Sequence, residues 1–116
     1  MKNLQKKIDQ SLKKYFLSFS KKNLKELNNM FADNIILKDW NFYVKGKKKV
    51  LEINKNIFKN KVLKVQLHEA YYNYTEMAVS CKIQVKINKK KLNVVDIIYF
   101  NKNMKIKKII AYLGGK

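Results

Sequence analysis

The chain has 116 residues, of which 27 are lysine, none arginine and 8 acidic, so it carries a formal charge of +19. That length supports one hydrophobic core, so a second catalytic domain is not expected; no apolar run approaches the roughly 20 residues of a membrane span, and Met1 to Gln10 lacks the apolar centre of a signal peptide. Lys, Asn and Ile fill 53 of 116 positions, a bias of the kind AT-rich coding produces. Without arginine there is no guanidinium fork for bidentate contacts, so specific nucleic-acid binding is not expected.

Leu4, Ile8, Leu12, Tyr15, Phe16 and Phe19 recur at three- and four-residue intervals, which predicts an amphipathic first helix with Tyr15 on its apolar side. A second helix follows, with Asn23 as its N-cap, Glu26 three residues on, and Leu24, Leu27, Met30 and Phe31 as its buried stripe; it is expected to stop near Asp33 and Asn34. Ile35 to Trp40 reads as a short strand by its β-branched content. "YVKGKKK" reads as a loop punctuated by Gly46, leading into a third helix that buries Val50, Leu51, Ile53, Ile57 and Phe58.

From Val62 onward the period changes to two. Leu63, Val65 and Leu67 alternate with polar residues, as do Val79, Cys81, Ile83, Val85 and Ile87. The polar turn at 88 to 91 leads into "LNVVDIIYF", and a last strand runs from Ile106 to Leu113. Helices first and an antiparallel meander afterwards predict a single α+β domain over 1–116, with its helices packed on one face of the sheet.

Two acids stand out. Asp96 sits in a strand that is apolar on both faces, so it is expected to be desolvated, and desolvation raises a carboxyl pKa by penalising the charged form. Alternation puts it on the same face as Val94 and Ile98. If that face lines a concavity, Asp96 points into it; the other reading is an acid paired with a lysine or capping a bulge. Asp39, at a strand end beside the only tryptophan, reads by itself as a solvated charge.

"YFLSFSKKNLKELNNMFADNIILKDW", "GKKKVLEINKNIF" and "VVDIIYFNKNMKIKKIIAYLG" together resemble the nuclear-transport-factor-2-like superfamily, and within it the SnoaL-like and bacterial ketosteroid isomerase group. The resemblance runs from about Lys13 to Gly114. It implies a cone of curved antiparallel sheet closed by three helices, with a pocket between them. It also implies three site residues: Tyr15 in "KKYFLSF" and Asp96 in "NVVDIIYF" as donors to an oxyanion, and Asp39 in "ILKDW" as a catalytic base. Tyr15 and Asp39 stand 24 residues apart, with no gap needed to match them. The same matching implies a ligand-binding lining of Phe19, Trp40, Val79, Cys81, Val94, Ile109 and Leu113. That floor suits a small apolar ligand. Trp40 takes the place of a proline that usually follows the base, and Asn54 takes the place of a tyrosine that supports the oxyanion tyrosine.

Cys81 and His68 are the only residues of their kinds and form no soft metal-ligand cluster, so no metal and no cofactor is expected. Cys81 reads as a small core or pocket residue rather than a nucleophile. His68 reads as an outward-facing strand residue, and Tyr71, Tyr72 and Tyr74 as an aromatic cluster at a two-fold interface. Val95, Ile97 and Tyr99, opposite Asp96, are the expected contacts of a homodimer. The protein is expected to be soluble and cytoplasmic. Three functional readings stand open: an isomerase-like enzyme or related lyase or hydrolase acting by proton transfer on a small apolar carbonyl compound, a non-catalytic ligand-binding or interaction module of the same fold, and a basic binder of polyanions.

Overall fold

A computed structural model describes residues 2 to 115. Helix α1 (Lys2–Ser20) is followed by α2 (Leu24–Met30), strands β1 (Phe31–Lys38) and β2 (Tyr43–Lys45), helix α3 (Lys47–Ile57), and strands β3 (Leu63–Asn73), β4 (Ala78–Ile87), β5 (Lys90–Phe100) and β6 (Ile106–Leu113). The six strands form one sheet in the order β2-β1-β6-β5-β4-β3. This is the α+β architecture that the residue periods predict.

The helices carry apolar stripes that meet one face of the sheet. Ile8, Leu12, Tyr15 and Phe16 of α1 are buried, at helical spacing, with Leu27 and Met30 of α2 and Val50 of α3. They join Ile35, Val79, Cys81, Ile98, Phe100 and Ile106 in one core cluster. The Asn23 side chain caps α2 by accepting from the Glu26 backbone N–H at 3.1 Å, as expected. Lys14 pairs with Glu26 at 2.6 Å and so links α1 to α2. No helix among the described residues is long and apolar enough to cross a membrane.

Three features differ from the sequence reading. Helix α2 ends at Met30 rather than near Asp33, because Phe31 turns extended (φ −85°, ψ 138°) and takes its buried side chain into β1. The irregular stretch between Phe31 and Ile36, where the register with β6 shifts, exposes Asp33 and Asn34. Residues 43 to 45, read as loop, form the short strand β2, paired antiparallel with β1 through Lys38 and Tyr43. A strand of three residues has too few alternations to show a period. β3 to β6 form the predicted antiparallel meander, but β1 lies parallel to β6, matching Leu37 to Ile109. Gly46 is the expected punctuation: its φ of +98° turns the chain from β2 into α3, a region that suits glycine.

The tyrosine cluster forms near the end of β3. The Tyr72 hydroxyl donates to Asp9 of α1 at 2.9 Å, and its ring stacks on Tyr74 at 6.0 Å. Both Tyr72 and Tyr74 are half-buried. Tyr72 is thereby tied to α1 within the chain.

Candidate functional site

Between the helices and the concave sheet face lies a cavity of about 300 Å³. Tyr15 and Phe19 enter it from α1, Leu37 from β1, and Asp39, Trp40, Asn41 and Phe42 from the loop joining β1 to β2. Ile53, Asn54 and Ile57 come from α3. The sheet contributes Ile83, Val85 and Ile87 of β4, Leu92, Val94 and Asp96 of β5, and Ile109 and Ala111 of β6. The volume lies at the small end of the range for ligand pockets.

Asp96 reaches the cavity by the parity of β5. Val94, Asp96, Ile98 and Phe100 are buried, while Val95, Ile97 and Tyr99 between them are half-buried on the other face. Its cross-strand neighbours are Cys81 on β4 and Ala111 on β6. Both are small, and they leave space around the carboxyl group. Among the described residues Asp96 makes no ion pair with a lysine, so the paired-acid reading does not hold. Burial, and after it the nearby charge of Asp39, raise its carboxyl from the ordinary 3.8 to about 7. At neutral pH a substantial share of Asp96 is the neutral acid, able to donate a hydrogen bond.

Tyr15 sits at the end of the α1 stripe, its ring packed against Phe16, Phe19 and Phe31 at centroid distances of 5.2, 6.1 and 6.3 Å. Burial, and then the charges Asp96 and Cys81 would carry, push its phenol well above the usual tyrosine range. It is a neutral donor at any ordinary pH. No hydrogen-bond partner of its hydroxyl is found among the described residues, so its donor is free for something in the cavity.

Asp39 closes the β1–β2 turn. Its Oδ1 accepts from the backbone N–H groups of Asn41 and Phe42, both at 2.7 Å, and its own N–H donates to the Phe42 carbonyl at 2.9 Å. The acid is half-buried, and Trp40 and Phe42 flank it at the mouth, each 43% exposed. Asp39 is thus neither a free surface charge nor a carboxylate with both oxygens unengaged: one oxygen shapes the loop that carries Trp40.

Of the lining expected from the sequence, Phe19, Trp40, Val94 and Ile109 face the cavity with Tyr15, Asp39 and Asp96. Val79, Cys81 and Leu113 do not. Val79 and Cys81 point to the predicted face but lie wholly buried in the core, and the cavity uses the next stretch of β4. Alternation gives a side chain's face and not its depth along the strand. Leu113 sits at the end of β6 and is 47% exposed. Burial, and then Asp96, push the Cys81 thiol up, which leaves it an unreactive apolar neighbour of the acid. His68 is exposed on β3, beside a bulge between Leu67 and Glu69. Among the described residues no group of three or more His, Cys, Asp or Glu side chains is placed to hold a metal ion.

Asn54 is the functional candidate that the residue pattern left unexplained. It is 4% exposed, and its Nδ2 is buried without a hydrogen-bond partner among the described residues. The signal was available in α3, where Asn54 stands at the position four after Val50 and three before Ile57, a core position filled by an amide.

Three helices on one face of a six-stranded, mostly antiparallel sheet form the nuclear-transport-factor-2-like, or cystatin-like, fold, and solved structures bear this out. A SnoaL-like protein of unknown function from Burkholderia thailandensis superposes with a TM-score of 0.81 at 13% identity, covering 96% of this chain and 97% of that one. A steroid delta-isomerase from Pseudomonas aeruginosa gives 0.76 at 12%, covering 94% and 80%, and an epoxide hydrolase from M. tuberculosis 0.77 at 10%, covering 94% and 84%. No protein-family model and no curated protein matches the chain. At these identities the likeness is one of fold, and the fold hosts isomerases, hydrolases and proteins without a known activity.

Proposed function

We propose that the chain is an enzyme that moves a proton on a small, largely apolar carbonyl compound. Asp39 takes a proton from the carbon beside the carbonyl, the electron pair shifts onto the carbonyl oxygen, and the proton is returned at another carbon, so that a double bond changes place with no net loss of atoms. Tyr15 and the neutral form of Asp96 donate hydrogen bonds to the oxygen as it gains charge. The observation that carries this reading is the convergence of Tyr15, Asp39 and Asp96 on one otherwise apolar cavity, with Asp96 held near 7 and unpaired. Trp40 and Phe42 at the mouth and the modest volume favour a ligand smaller than a steroid.

The test is the Asp39→Asn variant assayed across pH on small conjugated and unconjugated enones. Amide Oδ1 can still accept from Asn41 and Phe42, so the loop is retained while the base is lost. Turnover is expected to fall by about 10²-fold or more, and unchanged turnover would sink the assignment.

A second reading is favoured by the two backbone hydrogen bonds on Asp39 Oδ1: the acid is a loop-building residue and the cavity binds a ligand without converting it. In that case Asp39→Asn binds the same compounds as the parent protein and neither turns any over. We also propose that two copies meet through the outer sheet face, where Val95, Ile97, Tyr99 and Ile110 stay half-buried.

A further inference from the structure

We propose that Asn54 is a ligand-binding, specificity-determining residue of the cavity, whose side-chain amide selects compounds bearing a second oxygen group besides the one that faces Tyr15 and Asp96. The inference rests on reading the cavity as a ligand site. It concerns a residue that the proton-transfer chemistry does not use.

Asn54 is only 4% exposed, and it lines the cavity from α3. A buried amide nitrogen with no partner costs stability, because its bonds to water are given up and nothing replaces them. An apolar residue would fill that place in the Val50, Ile53, Ile57 stripe without the loss. The tyrosine-supporting role that the resemblance assigns to this position is not taken up: Asn54 Nδ2 makes no hydrogen bond to Tyr15 or to any other described residue. The two walls that carry unpartnered polar groups are therefore separate elements, α1 with β5 on one hand and α3 on the other. Between them the lining is apolar apart from the loop residues at the mouth. A ligand that satisfies both walls is a small hydrocarbon frame with a carbonyl or hydroxyl at one place and a second hydroxyl, carbonyl or ether oxygen at another. A ligand with one oxygen group satisfies only the first.

Calorimetric titration with 2-naphthol and with its 2,3-, 2,6- and 2,7-dihydroxy derivatives tests this, using the parent protein, Asn54→Leu, Asn54→Ala and Tyr15→Phe. At least one diol is expected to bind the parent about 3- to 10-fold tighter than 2-naphthol, the worth of one neutral hydrogen bond. Asn54→Leu and Asn54→Ala should each abolish that preference, so that diol and 2-naphthol bind the same variant with affinities within about twofold of each other, and Asn54→Leu should melt at a higher temperature than the parent. Tyr15→Phe should weaken naphthol and diol alike and keep their ratio. A diol preference that survives both Asn54 variants, or no diol preference in the parent when 2-naphthol binds, overturns the role of Asn54 and leaves the cavity reading standing. Absence of saturable 2-naphthol binding to the parent overturns both.

Discussion

Asp39 and Asp96 line the same cavity, and the charge of Asp39 adds to burial in lifting the Asp96 carboxyl to about 7. In the proposed reaction the pair divides two tasks between residues of one type: Asp39, half-buried and hydrogen-bonded by backbone N–H groups, is the base, and Asp96, buried among apolar neighbours that raise its carboxyl, is the hydrogen-bond donor.

That division predicts a pH dependence of activity. Donation by Asp96 requires the neutral acid, so turnover is expected to decline as pH rises through about 7. In Asp96→Asn the amide donates at every pH, so its pH-rate profile should lack that decline.

The same shift predicts a pH dependence of stability. Between the unfolded value of 3.8 and the folded value of about 7, the native protein holds a proton that the unfolded chain has lost. Stability from this group therefore falls as pH rises through that window, by at most about 4 kcal/mol. Urea denaturation at several pH values, compared with Asp96→Asn, should isolate the slope, and equal slopes in the two proteins would remove the basis for a protonated Asp96.

Tyr15→Phe keeps the ring that packs on Phe16, Phe19 and Phe31 and removes only the hydroxyl. Its urea midpoint is expected to stay close to that of the parent, while turnover falls about 10²- to 10³-fold, the usual cost of losing one oxyanion donor.

The two functions of Asp39 can be separated. Asp39→Asn is expected to retain the turn, whereas Asp39→Ala loses the acceptor of the Asn41 and Phe42 N–H groups and frees the loop bearing Trp40. Quenching of Trp40 fluorescence by acrylamide should rise in Asp39→Ala and stay at the parent level in Asp39→Asn.

The proposed dimer carries a charge of +19 on each copy, so repulsion opposes it and salt screens that repulsion. Sedimentation at micromolar concentration is expected to show dimer increasing with salt, and Ile97→Lys should shift the population to monomer. Attraction to polyanions has the opposite salt dependence.

Cys81, fully buried beside Asp96, should react with a thiol reagent only as the protein unfolds, so its rate should rise with urea along the unfolding transition and fall when a cavity ligand stabilises the native state. Rapid modification of the folded protein would return Cys81 to the cavity wall.

Local pattern carried much of the architecture. The three- and four-residue spacing of Ile8, Leu12, Tyr15 and Phe16, the Asn23 cap and the alternation through Val94, Asp96 and Ile98 each report a short-range backbone period, so the residues themselves specify helix, cap and strand face. The resemblance in sequence singled out Tyr15, Asp39 and Asp96, and the fold brings all three to one cavity. Depth could not be read in this way. Val79, Cys81, Ile83 and Val85 have the same alternation, and what covers each is decided by α1, α3 and the β1–β2 loop, which come from distant parts of the chain. The parallel pairing of β1 with β6 joins residues about seventy positions apart, and no local preference records it. Thus the sequence by itself determined which elements form and which way their side chains point, because those depend on neighbours along the chain. Only the tertiary structure decided which buried groups go unpartnered, Asn54 among them, because pairing depends on neighbours in space.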